Sequence, residues 1–223
     1  MKRQYDLIVF DWEGTLAEDT LGHAVSVLAA EAKSFHFGNI DRSLARQYLT
    51  LGLMSAIKKL FPHLLMYQYE QFVAAVQETL AKSSLSVCLV DDAQATIQQI
   101  HHDGFKLAIA TNKGNSALQR ALQTSGLDAY FNVTRSASQV PAKPCPQMLE
   151  EIMDESGSTA EETLMVGDSI ADIEMAVSIG VDAIGMDLYH AQRAELLAAG
   201  AVQVFDHYQQ LADYLNLSGE NAS

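Results

Sequence analysis

The sequence predicts an α/β fold: a doubly wound parallel β-sheet with helices on both faces, and a small block of helices inserted after the first strand. Three observations lead to this prediction. Residues 5–10 form a short apolar run, residues 18–84 show only helical spacing, and from residue 91 onward short apolar segments alternate with helical ones. Strands that alternate with helices are joined by right-handed crossovers, which produce parallel sheets covered on both faces.

The first strand is followed directly by the helical block. The strand, residues 5–10, ends at the charged residue Asp11. After Leu16 the apolar residues recur at helical spacing. The segment "LTLGLMSAIKKLFPHL" predicts a helix interrupted at Gly52 and ended by Pro62. The flanking apolar stripes comprise Leu21, Val25, Leu28, Ala32 and Phe35, and then Tyr69, Phe72, Val73, Val76 and Leu80.

The second part of the chain supplies the remaining strands of the sheet. A glycine follows two of the helices, Gly126 and Gly180, as is common at helix C-termini. In order, we predict helix 92–102, strand 106–110, helix 115–125, strand 130–134, helix 147–156, strand 163–167, helix 169–179, strand 181–186, a further helix, strand 201–205 and a last helix. We therefore expect a Rossmann-like core from residues 1–17 and 85–223, and a helical domain from residues 18–84.

The composition is that of an ordinary globular protein with an acidic surface. Apolar residues make up 48% and charged residues 19% of the 223 residues. Lys and Arg total 14 against 28 Asp and Glu, which gives a formal net charge of −14. Such a surface repels nucleic acid and anionic lipid, so we expect neither as a partner. A phosphate-bearing substrate would have to be attracted by local cations or by a metal ion.

The cysteines and the apolar segments indicate a cytoplasmic protein. Cys88 and Cys145 form no CxxC motif, which suits a reducing compartment without a disulfide framework. The apolar run near the start of the chain is too short for a signal sequence, and no later segment approaches the length of a membrane span.

Polar residues follow several of the predicted strands. In an open parallel sheet ligands bind beyond the carboxyl ends of the strands. Each residue alone has an ordinary explanation: Asp168 could cap a helix, Thr111 could end a strand and Lys143 could be a solvated lysine. Together they suit a hard, oxygen-preferring cation such as Mg²⁺ that is also bound by phosphate and water. The residues expected at this edge are Asp11, Glu13, Thr111, Asn112, Lys113, Lys143, Asp168 and Asp172.

Four segments resemble the signature motifs of the haloacid dehalogenase-like hydrolase superfamily. They are "DWEGTL", "LAIATNKG", "AKPCPQML" and "LMVGDSIADIEMAVSIGV", and they occur in the family's order across nearly the whole chain. The helical block lies where the family has its small helical cap. Within the superfamily the chain is most similar to the phosphoglycolate phosphatase-like branch, to which the segment "LGLMSAIKKLFP" also corresponds.

The resemblance implies a role for each residue of the site. Asp11 is expected to be the nucleophile that forms an aspartyl-phosphate. Mg²⁺ is expected to bind Asp11, the backbone carbonyl of Glu13 and Asp168. The family pattern further implies that Thr111 and the amides near Asn112 bind phosphoryl oxygens, that Lys143 neutralises charge, and that Asp172 lies behind these groups. The Glu13 side chain would protonate the leaving group and later activate water.

Glu13 departs from the family pattern, which has aspartate at this position. One extra methylene moves the carboxylate by about 1 Å, and a misplacement of that size can cost about 10²-fold in rate. Three interpretations remain open: a slower acid/base, an adaptation to an unusual substrate, or a homologue that binds phosphate or protein and has lost turnover. Smaller departures occur at the start of the insert and in the segment before Lys143.

The predicted function is a Mg²⁺-dependent phosphatase for a small phosphorylated metabolite, with phosphoglycolate as the best candidate. We expect a monomer or a weak dimer. The rival enzymatic interpretations are hydrolysis of a phosphonate C–P bond and a phosphomutase. Phosphonate-hydrolysing relatives carry a small residue where Glu13 stands, and a mutase would be expected to keep the usual aspartate, so Glu13 argues against both.

Overall fold

Six parallel strands form one sheet among the residues that the structure describes, which are 4–49, 52–83 and 87–218 of this computed structural model. The strands are β1 (Leu7–Phe10), β2 (Lys106–Thr111), β3 (Val133–Ser136), β4 (Thr163–Gly167), β5 (Asp182–Met186) and β6 (Gln203–Phe205). Their order in the sheet is β3-β2-β1-β4-β5-β6, and every neighbouring pair is parallel. The predicted doubly wound α/β fold is confirmed.

Helices alternate with the strands as the sequence predicted. Between β1 and β2 lie α1 (Thr20–Ser34), α2 (Arg42–Leu49), α3 (Leu53–Leu60), α4 (Met66–Ser83) and α5 (Ala93–His102). The later helices are α6 (Asn115–Ser125), α7 (Gln147–Ser156), α8 (Ile170–Val177), α9 (Arg193–Ala198) and α10 (Tyr208–Tyr214).

The central strands are buried on both faces, which explains their continuous apolar sequences. All four residues of β1 and all five of β4 are buried. Ile8 of β1 lies opposite Leu107 of β2 and Leu164 of β4. Side chains that alternate along the central strands pack with α7, α8 and α9 on one face of the sheet. That cluster includes Leu7, Val9, Ala108, Met165, Ile152, Ile173 and Leu196.

Several predicted element boundaries differ from the structure by one to three residues. The third strand in sequence order was predicted at residues 130–134 but begins at Val133. Tyr130 instead donates its backbone N–H to the Leu127 carbonyl in a turn, and Phe131 packs edge-on against Phe10. Phe131 is buried in the core and Tyr130 is partly buried, but neither belongs to the strand. The predicted helix 169–179 is shorter at both ends: Ser169 caps α8 instead of entering it, and the helix ends at Val177.

The chain divides into two compact units, Met1–Ala17 with Leu89–Ser223, and Glu18–Cys88. The predicted division places the second boundary between residues 84 and 85, which lie outside the described residues. Most of the two predicted apolar stripes of the helical unit is buried, including Val25, Leu28, Phe72 and Val76. No helix within the described ranges is long and apolar enough to cross a membrane.

Candidate active site

The carboxyl ends of β1 and β4, which are adjacent in the sheet, bring two aspartates to one edge. Asp11 directly follows β1, and its backbone N–H continues the sheet ladder by donating to the Val166 carbonyl at 2.9 Å. Asp168 directly follows β4. The side chain of Asp11 is buried although it is charged and polar. This is the edge at which open parallel sheets bind their ligands.

Lys143 joins the carboxylates of Asp11 and Asp172. Its Nζ donates to Asp11 Oδ1 at 2.7 Å, to Asp172 Oδ1 at 2.6 Å and to the Ala110 carbonyl at 3.2 Å. All three side chains at these ion pairs are nearly inaccessible to solvent. Losing one member of such a buried network leaves an uncompensated charge, which is strongly destabilising. The predicted lysine is therefore a buried part of the site and not a solvated surface residue.

The backbone of Lys143 is held by Asn112. The Asn112 side-chain oxygen accepts from the Lys143 N–H at 3.0 Å. Thr111, the last residue of β2, is buried, and its hydroxyl oxygen accepts from the Lys113 N–H at 3.2 Å. Asn112 thus has a structural contact that the sequence did not predict, in addition to the phosphate-binding role proposed for the amides around it.

Asp172 contacts protein groups with both carboxylate oxygens. Oδ1 accepts from Lys143, while Oδ2 accepts from the Ser169 N–H at 3.1 Å and from the Ser169 hydroxyl at 2.6 Å. Ser169 and Asp172 form a reciprocal capping box at the start of α8. Asp172 therefore links Lys143 to the start of α8.

Asp168 is held by the turn that follows β1. The Thr15 hydroxyl donates to Asp168 Oδ1 at 3.1 Å, and the Thr15 carbonyl accepts from the Tyr208 hydroxyl of α10 at 2.9 Å. Gly14 in the same turn has a φ of +84°, and a Cβ there would lie 2.2 Å from Asp168 Oδ2. The turn therefore requires glycine both for its left-handed backbone and for its close approach to the carboxylate.

A second glycine makes room for Asp172. A Cβ on Gly167, the last residue of β4, would lie 2.4 Å from the Asp172 Cγ. Neither glycine was predicted to be part of the site, although both lie inside the motifs. Tyr208 was also missed, because nothing in the sequence of the last helix distinguishes it from a core residue.

The electrostatics of the site show an excess of negative charge. Burial, followed by the Asp172 charge, raises the pKa of Asp11, although Lys143 opposes the shift. Burial and the charges of Asp11 and Asp172 raise the pKa of Asp168 well above its usual range. Burial lowers the pKa of Lys143, but the two carboxylates outweigh it and raise that pKa overall. Three acidic groups around one lysine favour an additional cation.

The donor set fits a magnesium ion. Asp11, Asp168 and Asp172 each offer a carboxylate oxygen, and these oxygens lie within 4.8 Å of one another. Mg²⁺ prefers hard oxygen ligands of this kind. Zinc sites usually include nitrogen or sulfur ligands, and this group of three carboxylates has neither. Because Asp172 already binds Lys143 and Ser169, Asp11 and Asp168 are the carboxylates best placed to hold the ion.

Glu13 lies at the same edge but faces solvent. Its side chain is 52% exposed, and its Oε1 accepts from Lys113 Nζ at 2.7 Å. An ion pair this exposed is worth about 0–1 kcal/mol, too little to prevent the side chain from turning toward a bound substrate.

Comparisons with known proteins identify the family of this chain. The family described as haloacid dehalogenase-like hydrolase matches residues 8–186, and the chain belongs to that family. The chain is 30% identical over 180 residues to the pyrophosphatase PpaX of Halalkalibacterium halodurans, covering 80% of this chain and 81% of the relative. It is 24% identical over 223 residues to a phosphoglycolate phosphatase of Colwellia psychrerythraea, covering 94% and 96% of the two chains.

Solved structures support the same fold. A HAD family hydrolase from Deinococcus radiodurans, crystallised with bound phosphate and sodium, has a TM-score of 0.67 at 19% identity, with 96% of each chain covered. The family, the phosphoglycolate phosphatase-like branch and the class of phosphoric monoester hydrolase predicted from the sequence are confirmed.

Proposed function

We propose that this chain hydrolyses a small phosphorylated metabolite through an aspartyl-phosphate on Asp11, with Mg²⁺ as the cofactor. The observation that carries the proposal is the buried Lys143, whose Nζ lies 2.7 Å from Asp11 Oδ1 and 2.6 Å from Asp172 Oδ1. A carboxylate can attack an anionic phosphoryl group only where cations offset their repulsion, and Lys143 supplies one such charge. Asp168, whose carboxylate lies within 4.8 Å of Asp11, adds a second acidic ligand.

In the first step an Asp11 oxygen forms a bond to phosphorus while the bond from phosphorus to the leaving oxygen breaks. Glu13 gives its proton to that oxygen, so the alcohol leaves neutral. In the second step Glu13 takes a proton from water, the water oxygen bonds to phosphorus, and the Asp11 carboxylate is released with inorganic phosphate. Dividing one difficult displacement into two is the usual advantage of a covalent intermediate.

The remaining groups position the phosphoryl group. The Thr111 hydroxyl and the amides around Asn112 donate to phosphoryl oxygens, and Asn112 keeps Lys143 in place through its side chain. Bound at Asp11, Asp168 and the Glu13 carbonyl, Mg²⁺ would supply positive charge for the phosphoryl oxygens. We propose that the site accelerates the reaction mainly by positioning the reacting groups and by electrostatic stabilisation.

Two relatives suggest two substrates. The phosphoglycolate phosphatases among the relatives favour phosphoglycolate, and the relative at 30% identity favours pyrophosphate. Both are small, highly charged phosphates that suit a protein whose net charge of −14 requires local cations at the site. We favour phosphoglycolate and keep pyrophosphate as the second candidate, for a protein that acts as a monomer or a weak dimer in the cytoplasm.

The test measures phosphate release from phosphoglycolate, pyrophosphate and an aryl phosphate, with and without Mg²⁺. We expect turnover that requires Mg²⁺, is lost in excess EDTA and falls by at least about 10²-fold in Asp168→Ala, a loss typical of removing one strong electrostatic group. Asp154→Ala, which removes an exposed carboxylate from α7, is the matched control and should behave as wild type. Undiminished hydrolysis in EDTA would exclude the metal site. A phosphonate in the same panel tests C–P hydrolysis.

A further inference from the structure

Tyr208 of α10 has a buried hydroxyl for which packing alone gives no reason. Its side chain is completely buried, and its hydroxyl donates to the Thr15 carbonyl at 2.9 Å. A phenylalanine would fill the same space, whereas burying a hydroxyl costs free energy unless it finds a partner. The partner is the backbone of the turn that follows the proposed nucleophile, and Tyr208 lies beyond residues 8–186, which the family matches.

The Thr15 residue that accepts from Tyr208 also contacts a proposed metal ligand. Its own hydroxyl donates to Asp168 Oδ1 at 3.1 Å. On the other side of the carboxylate, Gly14 approaches so closely that a Cβ would lie 2.2 Å from Asp168 Oδ2. Two successive hydrogen bonds therefore connect the last helix to Asp168, and the same turn limits where that carboxylate can move.

The other tyrosine of α10 provides a contrast. The Tyr214 hydroxyl lies 3.1 Å from the Tyr5 hydroxyl, which itself donates to Asp182 Oδ2 at 2.7 Å. The rings of Tyr5 and Tyr214 also stack, with centroids 6.4 Å apart. Tyr5 precedes β1 and Asp182 is the first residue of β5, so these contacts lie at the amino ends of the strands, whereas the site lies at the carboxyl ends. The two tyrosines thus attach one helix at two places, only one of which reaches the acidic cluster.

We propose that Tyr208 is a positioning residue for the divalent-cation site: by holding the Thr15 backbone, it keeps the Thr15 hydroxyl on Asp168 and orients that carboxylate for the ion. This inference rests on the proposed function in one respect, that Asp168 is a metal ligand. Groups that orient metal ligands typically affect metal affinity or activity by about 10–100-fold. The last helix thereby becomes part of the site through the hydrogen bond from Tyr208 to Thr15.

The test is the affinity for Mg²⁺ alone, measured by isothermal titration calorimetry on the full chain without substrate. We expect Tyr208→Phe to weaken Mg²⁺ binding by about tenfold. Tyr214→Phe, which removes one hydroxyl from the same helix, should bind Mg²⁺ as wild type does. Thr15→Val should be at least as weak as Tyr208→Phe, while Thr15→Ser, which keeps the hydroxyl, should restore most of the affinity.

The outcomes separate this inference from the proposed function. Wild-type affinity in Tyr208→Phe, beside a clear loss in Asp168→Ala, would overturn the positioning role and leave the metal site standing. Absence of Mg²⁺ binding by wild type would overturn both. Thermal unfolding of all variants provides the second measurement: equal destabilisation by Tyr208→Phe and Tyr214→Phe, with a loss of Mg²⁺ affinity only in the first, supports positioning. Equal losses of affinity in both would indicate a general structural effect and contradict it.

Discussion

Glu13 is the residue of the proposed site that departs from the aspartate of the family pattern. Its carboxylate stands at the acid/base position, it is more than half exposed, and Lys113 binds it at 2.7 Å. If Glu13 is a displaced acid/base, Glu13→Asp should raise kcat for an alkyl phosphate, and Glu13→Gln should lower it by about 10²–10⁴-fold from the best variant. An aryl phosphate should respond less, because its leaving group needs little protonation.

The measurement is kcat for one alkyl and one aryl phosphate in wild type and both variants. Lys113→Met serves as the matched control, since it removes the partner but keeps the Glu13 carboxylate. If Glu13→Asp loses activity on the best alkyl substrate, the glutamate is an adaptation of this enzyme. If wild type and Glu13→Gln are equally inert on every substrate yet bind Mg²⁺ and phosphate, the chain is a binding module and the acid/base proposal is wrong.

Gly167 tests whether the close packing around Asp172 matters. In Gly167→Ala the new Cβ would lie 2.4 Å from the Asp172 Cγ, so the carboxylate must move and its contact with Lys143 at 2.6 Å must weaken. We expect about 1–3 kcal/mol of destabilisation, as for other overpacked cores, together with a large loss of turnover. Denaturant unfolding and kcat are the measurements.

Gly126→Ala is the control for Gly167→Ala. Gly126 has a φ of +71° and nothing within 4 Å of its would-be Cβ, so the substitution strains the backbone without crowding the site. It should therefore lower stability by about 1 kcal/mol and leave kcat unchanged. Full activity in Gly167→Ala would show that the Asp172 carboxylate can move without harm, and would contradict its role in holding Lys143.

At the level of residues, the charged groups of the site could be predicted from the sequence, whereas the groups that position them could not. Asp11 and Asp168 could be found because they directly follow buried strands, and Lys143 because its segment resembles a family motif. Gly167 and Tyr208 could not, because their importance lies in distances of a few ångströms between segments far apart in the chain. A sequence motif specifies residue types but does not give the distance between a Cβ position and a carboxylate in another segment.

At the level of elements, an ion pair connects the first two helices of the helical unit. Asp19 caps α1 by accepting from the Gly22 N–H at 2.6 Å, and it also binds Arg46 of α2 through two contacts of 2.7 and 2.5 Å. Burial alone would raise the pKa of Asp19, but the hydrogen bonds from Arg46 and Gly22 lower it overall. The pair thus joins the first two helices of this unit.

Arg46→Gln should therefore destabilise the protein by about 1 kcal/mol at pH 7, a value appropriate to a partly exposed pair. The folded-state pKa of Asp19 lies below that of the unfolded chain, so this stabilisation is fully present above the ordinary aspartate pKa and is lost as the pH falls through the folded-state value. The difference in unfolding free energy between wild type and Arg46→Gln should shrink between pH 7 and pH 3.

Urea unfolding at both pH values gives this difference. Lys82→Gln is the matched control, because it removes a cation from an exposed pair with Glu78 on α4. A gap between wild type and Arg46→Gln that stays constant or widens toward pH 3 would contradict the assignment of the effect to ionised Asp19.

Most elements were predictable because helical and strand periodicities differ clearly in this chain. Helices α6 and α7 have the predicted limits, since Gly126 and Gly157 end them in left-handed conformations. The strand β3 was predicted too early in the chain, because Tyr130 and Phe131 are apolar enough to suggest a strand. In the structure Tyr130 lies in a turn and Phe131 packs against Phe10. An apolar sequence pattern cannot distinguish an aromatic residue in a strand from one in a turn that packs against the core.

At the level of the whole molecule, the protein is acidic overall and also has a cluster of acidic residues at one edge of its sheet. The net charge of −14 disfavours the binding of anionic substrates in general. Asp11, Asp168 and Asp172 add a local cluster of acidic groups, in which the buried Lys143 contacts Asp11 and Asp172. A site of this kind becomes attractive to phosphate once a divalent cation is bound. The order and direction of the strands, which follow from the doubly wound fold, bring Asp11 and Asp168 side by side.

The most direct test of the central claim is the turnover of Asp11→Asn with saturating Mg²⁺, compared with wild type on the best substrate of the panel. The amide nearly matches the carboxylate in shape but cannot form an acyl-phosphate. We predict a folded protein, by circular dichroism and thermal unfolding, whose kcat is lower by at least about 10³-fold, since removing a nucleophile costs this much or more in other enzymes. Turnover at or near the wild-type rate by well-folded Asp11→Asn would contradict the mechanism.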